Sequence, residues 1–245
     1  MEFNFPITPR EAGKGRLITF LPLRAGAGAA TLACMCALTA CKHYDTAIID
    51  FNQESKIRSY LGFQDLDATT VSILDINGVS TPEGIYSACE KHHTGLNVFP
   101  GISSRVLDAS QIDTHLMLKA ITYLKNTSPL TIAVINPLHI SWIAALLSDM
   151  VCLVVKPDRP NIDAFRENVD FLNRLNCSER LKIILNQEGY VGGLEKKGAI
   201  NYFSPDIVIG YDKAISEMCN RRLIEPTKNI RSKLFTLIKG VMSDA

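Results

Sequence analysis

A glycine-rich loop between a short apolar run and a long apolar helical segment contains the residues best suited to do chemistry. The loop extends from Arg24 to Thr31 and includes Gly26 and Gly28. Glycine allows a backbone to approach a ligand closely, and the N–H groups at the start of a following helix attract anions. The spacing therefore predicts a phosphate-binding turn.

Two side chains that phosphate chemistry normally uses are absent from this loop. A P-loop places a Lys against the phosphates and then a Ser or Thr against Mg²⁺. These positions hold Ala29 and Ala30, and a hydroxyl follows only at Thr31. Replacing the Lys by Ala removes a charge-assisted partner worth about 1.5–3 kcal/mol. Two interpretations stay open: a site that binds ATP or ADP mainly through its backbone, without magnesium, and an empty turn that packs strand against helix.

Short apolar runs alternate with helical segments along the whole chain. The first run, 16–23, leads into the loop, and the second, 46–49, ends at Asp50. This alternation is typical of a mainly parallel, twisted sheet with helices on both faces. We predict a polar arm over residues 1–15 and one α/β domain over 16–245. The further predicted strands are 95–101, 130–136, 150–156, 181–185 and 207–210, and the predicted helices are 31–41, 110–125, 141–147, 160–175 and 212–222.

The loop resembles the deviant Walker A motif of the MinD/ParA ATPases, K-G-G-x-G-K-S/T-S/T. Arg24 takes the place of that family's signature Lys, and Ala29 takes the place of its P-loop Lys. Within the superfamily, the segment around the loop is most similar to the TadZ/CpaE pilus-assembly proteins, whose P-loop Lys is often lost. The resemblance covers residues 16–240 and implies the fold of a P-loop NTPase.

Further landmarks of the same family follow in order. Asp50 matches the first Asp after the second strand, Asn136 stands where the Walker B strand has Asp, and Asn186 matches the Asn that reads adenine. The resemblance also implies a homodimer in which the residue at position 24 acts across the interface. The nucleotide-binding residues that it implies are Arg24, Gly26, Ala27, Gly28, Ala29, Ala30, Thr31, Asp50, Asn136 and Asn186.

The departures from the motif bear on function. A Lys, a hydroxyl and a carboxylate that stabilise phosphoryl transfer are replaced at Ala29, Ala30 and Asn136. We therefore expect a non-catalytic or weakly nucleotide-binding scaffold or localisation factor for a pilus or secretion machine at the bacterial envelope, with that machine's proteins as partners. The alternatives are a slow ParA-type ATPase in segregation or cellular positioning, and a BcsQ-like accessory protein of cellulose export.

Composition excludes some classes of function. Lys and Arg number 26 against 25 Asp and Glu, so bulk charge does not drive nucleic-acid binding. The seven cysteines form no CxxC pair and no Cys/His cluster with metal-ligating spacing. This predicts reduced thiols in a cytoplasmic protein and no metal site.

The C-terminal segment permits two interpretations. Residues 229–242 have apolar side chains at helical spacing and basic side chains largely elsewhere. Such a helix can lie on a membrane surface, which would recruit the protein to the inner membrane or cell pole. Alternatively, it is the last helix of the domain and covers the sheet. The apolar positions are Ile230, Leu234, Leu237, Ile238 and Val241.

Overall fold

The computed structural model describes residues 13–51, 56–63, 89–99, 114–135 and 138–243. These residues form an eight-stranded sheet in the order β3-β4-β2-β5-β1-β6-β7-β8. Its strands are β1 (Arg16–Pro22), β2 (Thr46–Asp50), β3 (Glu90–Lys91), β4 (Asn97–Val98), β5 (Leu130–Val134), β6 (Met150–Val155), β7 (Leu181–Glu188) and β8 (Ile207–Gly210). All neighbours are parallel except β3 and β4, which confirms the predicted α/β class.

Helices cover both faces of this sheet. They are α1 (Ala29–Ala40), α2 (Ile57–Tyr60), α3 (Thr114–Thr127), α4 (Leu138–Leu147), α5 (Arg159–Arg174), α6 (Lys196–Phe203), α7 (Lys213–Asn220) and α8 (Lys228–Ser243). The central strands are apolar on both faces, as is usual where helices cover both sides of a parallel sheet.

The core divides into two clusters, one on each face of the sheet. In β6, Cys152 and Val154 pack in the cluster that contains α1 and α8. Val151, Leu153 and Val155 pack in the other cluster, with α3, α4 and α5. Because successive side chains of a strand point to opposite faces, this assignment shows on which face of the sheet each of these β6 side chains lies.

Several predicted boundaries were wrong. Of the predicted strand at 95–101, the described residues 95–99 contain a strand at Asn97–Val98, and it pairs with the antiparallel strand Glu90–Lys91, which the sequence pattern did not indicate. Helix α4 begins three residues earlier than predicted, at Leu138, and β7 extends beyond residue 185 to Glu188. Helix α6 was also missed, because only Ala199 and Phe203 are buried and its pattern is weak.

The C-terminal helix packs inside the domain. The apolar residues at 230, 234, 237, 238 and 241 are at most 6% exposed, and they belong to the cluster that contains α1. The proposed membrane contact through residues 229–242 is therefore wrong for this apolar face, because α1 and the sheet already cover it. In the described part of the chain, no helix has the length and hydrophobicity to cross a bilayer.

A partly buried ion cluster lies at the amino ends of the central strands. The Asp149 carboxylate lies 3.0 Å from Arg16 Nη1 and 2.7 Å from Lys125 Nζ, and it accepts a hydrogen bond from the Leu17 N–H at 2.8 Å. The Lys125 side chain is fully buried, and burial lowers its pKa although the contact with Asp149 acts in the opposite direction. These amino ends are opposite to the glycine-rich loop, so we assign the cluster to stability.

Candidate functional site

The order in which strands are added to the sheet switches sides between the parallel neighbours β1 and β6. Helix α1 carries the chain from β1 towards β2 on one side, whereas α5 carries it from β6 to β7 on the other. In open α/β sheets, the crevice outside the carboxyl ends of two such strands is the usual ligand site. The predicted loop lies at this place, between the end of β1 and the start of α1.

The loop is built as an anion cradle. Gly26 and Gly28 have φ angles of +82° and +93°, and Gly28 is the N-cap of α1. No side chain caps this end of the helix, and its first turn has no acidic residue. The first N–H groups of α1 therefore have no side-chain acceptor, which is the arrangement that anions use at a helix N-terminus.

Two consecutive amide side chains of β7 hold the loop. Asn186 Nδ2 donates to the carbonyl oxygen of Ala27 at 2.8 Å, and Gln187 Nε2 donates to that of Gly26 at 3.0 Å. A regular strand would direct these neighbours to opposite faces, but β7 has an irregularity between residues 185 and 188, and Gln187 has a φ of +59°. Sequence reasoning found Asn186 and missed Gln187, because a bulge leaves no clear signal in a single sequence.

Gly28 also makes room for Asn186. A Cβ at position 28 would lie 2.3 Å from Asn186 Nδ2, which is far inside van der Waals contact. A Cβ at Gly26 would meet nothing within 4 Å. Gly28 is therefore needed for its positive φ and for this close approach, whereas Gly26 is needed for its φ alone.

A cavity of about 100 Å³ opens beside the loop, between α1, the ends of β7 and β8, and α7. Leu32 and Ile215 provide apolar surface, Asn186 and Gln187 provide amides, and the half-exposed Tyr211 lies at its edge. An apolar slot with a few polar groups suits a flat heteroaromatic ring. The cavity thus has the size and chemistry for a base, next to a loop suited to phosphate.

Thiols and hydroxyls lie in the wall of this cavity and near it. Thr31 Oγ1 is 3.7 Å from Cys219 Sγ, and both residues line the cavity. Burial raises the pKa of Cys219, of Cys34 and of Tyr60. All three groups are therefore neutral near pH 7. Thr31, predicted as the last residue of the loop, faces the cavity.

The remaining predicted residues divide into three groups. Ala29 is buried and Ala30 is partly buried, and as alanines they offer a ligand backbone groups but no polar side chain. Arg24 is exposed. Asp50 is buried at the end of β2, with β5 between it and β1, and its carboxylate accepts a hydrogen bond from the Lys56 N–H at 3.1 Å. Asn136 lies outside the described residues. No group of three potential metal ligands occurs within the ranges that the structure describes.

Solved structures of similar shape share this architecture. A plasmid partition protein from Borrelia burgdorferi bound to AMPPNP matches 95% of this chain and 100% of its own, with a TM-score of 0.74 and 15% identity. This chain has the fold of the MinD and ParA proteins. MinD from Pyrococcus horikoshii, complexed with Mg-ADP, matches 86% of this chain and 87% of its own, with a TM-score of 0.65 and 16% identity.

A third structure shows this fold in complex with a partner protein. The MinC:MinD cell division complex from Aquifex aeolicus covers 91% of this chain and 96% of its own, with a TM-score of 0.68 and 17% identity. No protein-family model matches the sequence, and no curated protein does either. At these identities the likeness establishes the fold, and the role of the site has to be argued from its own residues.

Proposed function

We propose that this protein binds an adenine nucleotide at the carboxyl ends of β1 and β7 and acts as a scaffold or localisation factor of the MinD/ParA type. The observation that carries the proposal is the placement of an uncapped helix start, opened by Gly26 and Gly28, directly beside a base-sized cavity lined by Asn186. One ligand with an anionic group and a flat ring fits both parts.

The same residues argue against rapid hydrolysis. Ala29 and Ala30 supply neither a cation for the phosphates nor a hydroxyl for Mg²⁺. Phosphoryl transfer depends almost entirely on such positioning and charge stabilisation. We therefore propose that the nucleotide acts as a bound effector and that magnesium adds little to its affinity.

The cellular part of the proposal comes from the resemblance of the loop to the TadZ/CpaE proteins. On this ground we propose that the protein acts at a pilus or secretion machine of the bacterial envelope, with proteins of that machine as partners. The exposed position of Arg24 fits the implied homodimer, because an exposed guanidinium can reach a second copy. The neighbouring MinC:MinD complex shows that this fold can present a surface to a partner protein.

A calorimetric titration with ATP, with and without Mg²⁺, tests nucleotide binding. We expect binding in the micromolar range. The substitution Ser216→Trp, at an exposed residue that lines the cavity, should abolish binding by filling the space for the base. Glu217→Trp is the matched control, because Glu217 is an exposed neighbour on the same helix and does not line the cavity.

The outcomes separate the alternatives. No heat up to millimolar ATP would show that the loop is only a packing turn. Normal binding by Ser216→Trp would place the nucleotide elsewhere. Phosphate release that clearly exceeds that of Arg24→Ala would instead favour a slow ParA-type ATPase.

The cellular role requires its own test. Deleting the gene in the source bacterium should prevent assembly of a pilus or secretion machine, and a fluorescent fusion should gather at the envelope. Normal assembly together with diffuse fluorescence would contradict the proposed role while leaving nucleotide binding intact.

A further inference from the structure

Lys156 lies at the end of the strand that borders the glycine-rich loop. It directly follows β6, whose neighbours are β1 and β7. The aligned pairs nearest this edge are Pro22 with Val154 and Val155 with Leu185. Lys156 is therefore next to the first residues of the loop on one side and to the amide-bearing end of β7 on the other.

The loop reaches across this position. It leaves β1 at Leu23, whose N–H donates to the carbonyl oxygen of Val154 at 2.9 Å. Four residues later, the carbonyl oxygen of Ala27 accepts a hydrogen bond from Asn186 on β7 at 2.8 Å. The loop thus passes from β1 to β7 over the end of β6, where Lys156 stands.

The ammonium group of Lys156 is held by an aromatic ring and by one long ion pair. Its Nζ lies 4.0 Å from the centre of the Tyr190 ring and 3.7 Å from Asp158 Oδ2, the latter being longer than a hydrogen bond. The other oxygen of Asp158 accepts hydrogen bonds from Asn161, including its N–H at the start of α5. An aromatic face supports a cation without using its N–H donors.

Another lysine at the same edge is differently placed. Lys196, at the start of α6, is 62% exposed and lies 3.2 Å from the carboxylate of Glu188. The side chain of Lys156 is 23% exposed, so it is partly desolvated but still partly accessible. A partly desolvated cation attracts an anion more strongly than one in bulk water.

We propose that Lys156 supplies the phosphate-binding cation that the loop lacks at Ala29. The inference rests on the proposed nucleotide site and names the group that would contact the β- or γ-phosphate. Lys suits this role because its compact ammonium has three donors on a flexible stem and can turn from the ring of Tyr190 towards an anion. Because this cation would come from the end of β6, the loop itself can consist of small residues.

Calorimetric titrations of Lys156→Gln with ATP and with adenosine test the assignment. We expect the affinity for ATP to fall about 10- to 100-fold while that for adenosine stays unchanged, because only ATP carries the phosphates. Lys156→Arg should recover part of the loss. Lys182→Gln is the matched control, since Lys182 pairs with Asp206 at 3.0 Å near the opposite edge of the sheet.

A second measurement uses the unaltered protein, in case the Gln variant does not fold. Acetic anhydride labelling with mass spectrometry should show that ATP and inorganic tripolyphosphate protect Lys156 and leave the modification of Lys182 unchanged. Adenosine should protect neither.

Two results would overturn the assignment. If wild-type protein binds ATP and Lys156→Gln binds it equally well, or if Lys156 is acetylated equally with and without ATP, the lysine does not contact phosphate and the nucleotide site stands. If wild-type protein binds neither ATP nor tripolyphosphate, the assignment and the proposed function fail together.

Discussion

The contact between Gly28 and Asn186 gives the sharpest quantitative prediction. Gly28→Ala places a Cβ at a φ of +93° and 2.3 Å from Asn186 Nδ2. The left-handed backbone alone costs about 1–2 kcal/mol for a residue with a Cβ. Asn186 must also move and give up its hydrogen bond to Ala27, and leaving buried polar groups unpaired costs about 1–3 kcal/mol. We expect Gly28→Ala to lower the free energy of unfolding by about 2–5 kcal/mol.

Gly26→Ala is the matched control for the backbone effect. Gly26 has a similar φ of +82°, but a Cβ there would meet nothing within 4 Å. We expect a loss of only about 1–2 kcal/mol for this variant. The difference between the two variants therefore isolates the steric effect on Asn186.

Urea unfolding followed by circular dichroism measures both losses, and a double-mutant cycle identifies their cause. In an Asn186→Ala background, Gly28→Ala should cost no more than Gly26→Ala, because the amide that clashes is gone. Equal losses for the two glycine variants in the wild-type background would refute the reasoning, as would an unchanged excess for Gly28→Ala after Asn186 is removed.

Three further predictions concern the rest of the fold. Asp149→Ala should lower the free energy of unfolding by about 3–5 kcal/mol, because it leaves the buried Lys125 and the partly buried Arg16 without their carboxylate; the exposed control Asp163→Ala should change it by less than about 0.5 kcal/mol in the same urea assay. Leu234→Ala in α8 should cost about 2–5 kcal/mol and leave flotation with anionic liposomes unchanged, whereas weaker flotation at unchanged stability would restore the membrane interpretation. At pH 8, mass spectrometry should show that a thiol reagent labels the partly exposed Cys41 long before the fully buried Cys36, whose pKa is raised by burial; faster labelling of Cys36 would show that α1 opens readily.

The sequence alone determined the class of fold and the position of the loop. Strands such as 150–155 are recognisable because a parallel strand covered on both faces must be apolar throughout. Gly26 and Gly28 are recognisable because few other residues adopt positive φ at a strand-to-helix turn. Weak edge elements escaped prediction, since strands of two residues carry no periodicity that distinguishes them from a loop.

Only the tertiary structure decided which side chains meet at the site. A bulge in β7 turns Gln187 towards the loop. The pairing of β6 with β1 and β7 places Lys156 next to the first residues of the loop. The packing of α8 on α1 decided between a membrane face and a core face, which are identical as sequence patterns. Contacts between residues more than a hundred positions apart depend on sheet order and register, and a local pattern of residue types does not specify either.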